Sequence, residues 1–196
     1  MFGVYKKQWV LHEDDKFGIR TRYGNKSSFT SGKHRYIWIE NSDKQLTPNF
    51  ISKEFFSECQ IHEGHYLDSL LVVGIQVIRE AYGTPIIINS SYRDYHCNRA
   101  AGGVNNSQHL YANALDFKFS DWWSLNLFQT EILNNGCIFG TLTSIGVTGF
   151  GLYDIHSHID TRDNAWQYNY FGNRYNLWGP ITGLSESLNL NQCEPN

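Results

Sequence analysis

An α+β domain, in which helices flank an antiparallel sheet, is what this chain predicts, on three observations. Two long runs carry apolar residues at helical spacing, several short runs are β-branched or alternate as strands do, and the order is helices interleaved with strands followed by strands alone. A doubly wound parallel fold would keep alternating helix and strand to its end.

Residues 1–46 hold short β-leaning runs at 5–11, 18–23 and 36–40, broken by Gly, Ser, Asn and Lys clusters, and read as small antiparallel strands or an irregular arm. Residues 47–56 read as a short helix capped at Ser52. The clearest helix spans 65–82: Leu67, Leu70, Leu71, Ile75, Ile78 and Tyr82 fall on one face, Gly83 stops it, and Pro85 opens the β-branched strand 86–90. Residues 92–106 are polar and Gly-rich, a loop with room for one helical turn. Residues 114–119 alternate as a strand. A second helix, 121–133, sets Trp122, Leu125, Phe128 and Ile132 on its apolar side, with Gly136 past its end. Residues 143–147, 151–153 and 157–161 read as strands of the sheet, and the tail from Trp166 is aromatic and Asn-rich without a period.

Composition narrows the function classes. At 196 residues, 41% hydrophobic and 18% charged, the chain is long enough for a core of its own. A net charge of −3 supplies no basic face for nucleic acid or an anionic membrane, and no apolar run is long enough for a bilayer span, so neither nucleic-acid binding nor membrane insertion is expected. Lys6 and Lys7 are followed by Gln8, Trp9 and His12 rather than an apolar stretch, so no secretory leader is expected. Synthesis in the cytoplasm follows as the expectation, with any extracellular target reached by another route. Cys59, Cys97, Cys137 and Cys193 are scattered without a CxxC pair and read as free thiols, with a single bridge as the alternative.

The chemistry concentrates in two segments. Ser107-Gln-His109-Leu-Tyr-Ala-Asn-Ala-Leu-Asp116 sets a histidine and a carboxylate at a spacing that fits no single helix face, so a loop carrying His109 turns into the strand carrying Asp116. His156-Ser-His158-Ile-Asp160 follows about forty residues later, alternating on a strand so that all three share a face. Two imidazoles and one carboxylate form the ligand set of an open catalytic zinc site, with three protein ligands and the fourth position left for water. A set of His109, His156 and His158 is the alternative, and it leaves Asp116 without a role. His62 and His65, at the start of the first long helix, read as exposed.

Just upstream lie Asn89-Ser90-Ser91-Tyr92-Arg93 and Asn98-Arg99-Ala100-Ala101-Gly102-Gly103. With the histidine segments these resemble the M15 family of zinc D,D-peptidases, especially its small bacterial and phage members. Their pattern runs from a strand into S-x-Y-R, then N-R-x-x-G-G, S-x-H-x-x-G-x-A-x-D, and a strand with H-x-D. The resemblance covers residues 46–162 and implies the M15/hedgehog-type zinc peptidase domain, with residues 1–45 as an N-terminal arm and 163–196 as a C-terminal extension. It implies Zn2+ held by His109, Asp116 and His158. Arg93 would stabilise the substrate carbonyl or the developing oxyanion, and Ser107 would hold substrate by hydrogen bonding. Asp160 would orient a ligand histidine or Arg93. Gly102 and Gly103 would form turns.

Two departures stand out. Ala112 occupies the glycine of the pattern, tolerable where the backbone does not need a positive φ. The family's general base, an Asp or Glu three residues before the last histidine, is Ile155 here. On an ideal strand Asp154, His156 and His158 share a face, so Asp154 or His156 is expected to take the proton from the attacking water, the carboxylate being the better suited. The implied activity is zinc-dependent hydrolysis of a peptide bond in peptidoglycan stem peptides, as a D,D-carboxypeptidase or an endopeptidase, in a lysin of phage type. The competing class is a non-catalytic binding or structural module, a virion or assembly protein that keeps the fold. A hydrolase of some other amide is a third option, and no oligomeric state is implied.

Overall fold

The computed structural model describes residues 34–57, 59 and 63–162 with their side chains, and five further strands by backbone alone: β1 (Trp9–His12), β2 (Asp15–Thr21), β3 (Phe29–Ser31), β12 (Tyr168–Phe171) and β13 (Arg174–Leu177). Between them run β4 (His34–Glu40), β5 (Gln45–Thr47), β6 (Phe50–Ile51), β7 (Gly64–Asp68), α1 (Ser69–Tyr82), β8 (Ile86–Ser90), α2 (Tyr95–Ala100), β9 (Ala114–Phe119), α3 (Trp122–Leu133), α4 (Cys137–Ser144), β10 (Gly149–Leu152) and β11 (Ser157–Asp160). The architecture is α+β with antiparallel sheets, as the segment order predicts.

The largest sheet runs β12-β13-β10-β11-β9-β8, every neighbouring pair antiparallel. Alternation splits its faces. Leu115, Phe117, Ile159 and Phe150 point into the core, where they meet Leu71, Ile75 and Ile78 of α1, Leu125, Phe128 and Ile132 of α3, and Phe139 and Leu142 of α4. Asp116, His158 and Asp160 take the alternate positions and point to the opposite face. One face of the sheet thus builds the core and the other presents chemistry. A smaller sheet, β3-β4-β7, packs at the site end of the molecule; Tyr36 on β4 donates its hydroxyl to Asn113 Oδ1 at 2.5 Å, and His34 Nδ1 lies 2.6 Å from Asp68 Oδ2. No helix among the described residues is long and apolar enough to cross a membrane.

Several elements depart from the sequence expectations. Residues 65–68 are strand, because Leu67 and Tyr66 pair with Ile37 and Trp38 across β4, and the helix begins only at Ser69. Asp68 caps it, accepting from Leu70 N at 3.1 Å, and Gly83 ends it at φ 63°. His65 is therefore buried in β7, not exposed; His62 lies outside the described residues. The short helix at 47–56 shrinks to a 3-10 turn, Ser52–Phe55. Ser52 is not its cap: its hydroxyl donates to Glu40 O, while Ile51 N donates to Glu54 Oε2 at 2.7 Å. Residues 143–147 are not a strand, since Ile138, Phe139 and Leu142 pack as the buried side of α4 and the chain turns at Gly146, φ 99°. Trp122 faces solvent at 69% exposure, and Ser124 takes the buried position beside Leu125.

The free-thiol expectation is overturned at Cys59, Cys97 and Cys137, while Cys193 lies outside the described residues. Cys59 and Cys97 form a disulfide and Cys137 is also bridged, so none of the described cysteines is free. Their separation of 38 residues leaves no local spacing pattern to read.

Ala112 does sit where the backbone needs a positive φ, at 60°. This left-handed residue closes the 3-10 turn Gln108–Tyr111 and turns the chain into β9, while its carbonyl accepts from Asp68 N at 3.0 Å. The left-handed region costs a non-glycine residue about 1–2 kcal/mol, and the methyl regains about 0.8 kcal/mol by burial among Tyr36, Tyr66 and Tyr92. Ala112→Gly is therefore expected to leave stability nearly unchanged. Ala112→Val adds a β-branched side chain at 1% exposure and is expected to cost about 3 kcal/mol. Urea midpoints of the two variants check this, and equal midpoints would contradict it.

Candidate metal centre

Register builds the centre. Ser90 on β8, Asp116 on β9 and His158 on β11 are direct cross-strand partners, Ser90↔Asp116 and Asp116↔His158, so three side chains line up in a row across the sheet. His109 arrives from the 3-10 turn that precedes β9, as a loop-to-strand reading of the His109–Asp116 spacing requires. Each of His109, Asp116 and His158 offers a ligand atom, and these atoms all lie within 4.8 Å of one another. It is the group of this kind found among the described residues.

The two imidazoles present different nitrogens. His109 Nε2 lies 3.2 Å from Asp116 Oδ1, and its Nδ1 donates to the Ser91 carbonyl. His158 Nδ1 lies 2.7 Å from the same Asp116 oxygen, and its Nε2 lies 3.1 Å from Asp160 Oδ2. Both rings thus aim one nitrogen at a single focus and anchor the other on an oxygen behind it, the arrangement that fixes tautomer and ring plane in metal-binding histidines. The expectation that Asp160 supports a ligand histidine or Arg93 resolves, in contacts, toward the histidine.

Arg93 fills the remaining side. Its Nη2 pairs with Asp116 Oδ2, its Nε donates to Ser90 Oγ at 2.7 Å, and its backbone N–H donates to His109 O at 3.0 Å. Arg93 thus pairs with Asp116 through Oδ2, which leaves Asp116 Oδ1 to the histidines. The loop before His109 is set by α2, where Asp94 accepts from Cys97 N at 2.8 Å. Gly102 has φ 72°, and a side chain on Gly103 would strike the Asn98 amide, so both glycines act in the turn. Ser107 is half-buried at the start of the 3-10 turn, its carbonyl accepting from Leu110 N at 3.1 Å.

Asp154 and His156 do not share a strand face with His158. Strand pairing stops at Leu152↔Ser157, and residues 153–156 form the connecting turn, closed by Tyr153 N donating to His156 O at 3.1 Å and held by Gln129 donating to Tyr153 O at 2.8 Å. The His156 ring stacks on Tyr153 at 4.4 Å, and Asp154 is exposed. Alternation on a strand cannot be extended through a tight turn.

Charge in the centre is shared. Burial opposes ionisation of Asp116, but His109 and His158 outweigh it and hold its carboxyl well below the ordinary value. For His158 burial works against protonation, yet hydrogen bonds and charge from Asp116 and Asp160 push it up to about 9. Burial wins at His109, with Arg93 and His158 adding to it, and that ring is lowered. One carboxylate oxygen faces two imidazoles, so only one of them takes the proton. Asp160, despite its burial, is lowered to about 2 by His158 and Arg162.

Two imidazole nitrogens and a carboxylate oxygen converging on one point, with the outer nitrogens already tied, fit a tetrahedral zinc with one open position. The spacing did not reveal three contributors to this geometry: the Ser91 carbonyl, Arg162, which binds Asp160, and Gly149, which faces Asp160 across β10–β11. Each depends on pairing between distant segments and carries no sequence signal of its own. No curated protein matches the chain. The family described as Peptidase M15 matches residues 48–160, a stretch that covers more than half of the chain and contains every member of the His109–Asp116–His158 group, and the chain belongs to that family of peptidases.

Proposed function

We propose that this protein is a zinc-dependent peptidase that cleaves a peptide bond in peptidoglycan stem peptides. The observation that carries the proposal is the convergence of His109, Asp116 and His158 inside the region matched by Peptidase M15. The resemblance of its motifs to the D,D-peptidases of that family supports the substrate class. Bridged cysteines fit action outside a reducing cytosol, as at a cell wall reached at lysis.

His109 Nε2, Asp116 and His158 Nδ1 would hold the zinc, which when bound supplies Lewis-acid polarisation of the scissile carbonyl and an activated water. Arg93, fixed by Ser90 and Asp116, presents a rigid guanidinium at the rim of the centre, suited to the carbonyl oxygen as charge develops there. Ser107, at the entrance to the His109 turn, is the proposed hydrogen-bonding contact to substrate. The 153–156 turn is the proposed source of the proton acceptor: Asp154 is exposed, whereas His156 is committed to its stack on Tyr153, which favours the carboxylate.

One observation favours a second reading, a binding or structural module that keeps the metal: neither Asp154 nor His156 lies on the His158 strand face. The test is incubation of the zinc-loaded full-length protein with peptidoglycan fragments, followed by mass spectrometry. Loss of a terminal residue or opening of a cross-link, abolished by a chelator and lowered at least about 100-fold in Asp154→Ala, is the expected result. A protein that binds zinc and peptidoglycan but releases no fragment would establish the second reading instead.

A further inference from the structure

We infer that Arg162 is a positioning residue of the metal centre, acting on the ligand His158 through Asp160. The inference rests on the proposed His109–Asp116–His158 centre and goes beyond it.

His158 can present Nδ1 as a lone pair only when its proton sits on Nε2, and that N–H then needs an acceptor. Asp160 Oδ2 provides it at 3.1 Å. Asp160 is 0% exposed, and a carboxylate without water around it needs donors on its other lone pairs. Arg162 supplies three: Nε to Oδ1 at 2.8 Å, Nη2 to Oδ2 at 2.5 Å, and its backbone N–H to Oδ1 at 3.2 Å. A planar fork on a planar carboxylate fixes its orientation as well as its charge, which a flexible ammonium does not.

The other side of the carboxylate is fixed by an absence of atoms. Gly149 is the direct partner of Asp160 across β10–β11, and a Cβ there would lie 2.2 Å from Asp160 Oδ1 and 2.5 Å from Oδ2. Asp160 is thus seated between a glycine and a guanidinium, and toward the centre it holds the His158 ring. The residues stand at alternate positions, His158, Asp160 and Arg162, so a single strand and its exit carry ligand, support and anchor.

The test uses the full-length protein, zinc affinity by competition with a chromophoric chelator, and the visible spectrum of the cobalt(II)-loaded protein. Arg162→Met is expected to weaken zinc binding about 10–100-fold and to shift the cobalt bands. Gly149→Ala, which removes no functional group, is expected to do the same by displacing the carboxylate. Arg162→Lys, which restores charge but not the fork, should recover part of the affinity. Circular dichroism of the metal-free variants confirms that each is folded, and Gly149→Ala and Arg162→Lys keep the question open to refutation if Arg162→Met is not. Wild-type protein that binds zinc, with Arg162→Met and Gly149→Ala matching it within twofold and their cobalt bands unmoved, would overturn the role of Arg162 and leave the centre standing. Wild-type protein that takes up neither metal would overturn the centre itself, and this inference with it.

Discussion

Asp116→Asn is expected to lower zinc affinity by at least about 100-fold and to abolish peptide hydrolysis. Loss of an outer partner of a metal ligand typically costs about 10–100-fold, so loss of a charged ligand sets a higher floor. Asp116 is more exacting than a generic ligand because each of its oxygens is committed. Oδ1 faces both His109 Nε2 and His158 Nδ1, and Oδ2 faces Arg93. An amide keeps the shape but turns one of these acceptors into a donor aimed at a nitrogen lone pair or a guanidinium. Arg93, mostly buried, also loses its counter-charge, which is expected to destabilise the metal-free protein by about 3 kcal/mol. Chelator competition and urea denaturation read the two effects separately. Zinc affinity within tenfold of wild type would remove Asp116 from the ligand set.

The same carboxylate sets the pH dependence of metal uptake. In the metal-free protein His158 is raised from 6.5 to about 9, first against the cost of burial and then by Asp116 and Asp160. A raised histidine contributes stability in full below 6.5 and loses it as pH rises through about 9. Its Nδ1 proton, held against Asp116, occupies the position a metal must take. Zinc affinity should therefore rise by about tenfold per pH unit between these values, with close to one proton released per ion, and the slope should flatten in Asp116→Asn.

The parts of the molecule that sequence made legible are those determined locally. The strand Ala114–Phe119 has the bounds its alternation predicts, and the apolar face of α1 is the one its spacing indicates. The grouping of His109, Asp116 and His158 was legible because two short segments carry it whole: His109 and Asp116 flank one turn, and His158 is the cross-strand neighbour of Asp116. What stayed hidden depends on distant pairing. Residues 65–68 have helical periodicity but gain more by joining β4, and residues 143–147 look β-branched yet sit at the end and exit of α4, whose start buries Ile138 and Phe139. The Asp154 and His156 positions failed for a related reason, because alternation predicts facing only while a strand lasts and β11 begins at Ser157. Gly149 and Arg162 acquire meaning only once β10 and β11 are in register.

Replacing both Cys59 and Cys97 by serine is expected to lower stability by about 4 kcal/mol and the melting temperature by about 10 °C. Closing a loop of 38 residues removes that much chain entropy from the unfolded state. The loop it closes contains β7, α1 and β8, whose end leads directly into the metal centre. Cys97 lies on α2, 4% exposed, just after Arg93 and on the backbone N–H that Asp94 caps. Four residues before Cys59, Phe55 O accepts from the Ser91 hydroxyl, and Ser91 O in turn accepts from His109 Nδ1. The bond thus ties the segment that follows the 3-10 turn, whose Phe55 holds Ser91, to the helix that follows Arg93. Zinc affinity is accordingly expected to fall in the double variant along with stability, although neither cysteine touches the centre. A thiol reductant applied to the wild type should reproduce both losses, and the double variant separates this bond from the second bridge at Cys137. If the variant melts with the wild type, the bridge is dispensable and the Asp94 cap with the Ser91 contacts suffices to hold the loop. If it melts lower but binds zinc equally well, the staple serves the fold alone, and the support of His109 is local to Ser91.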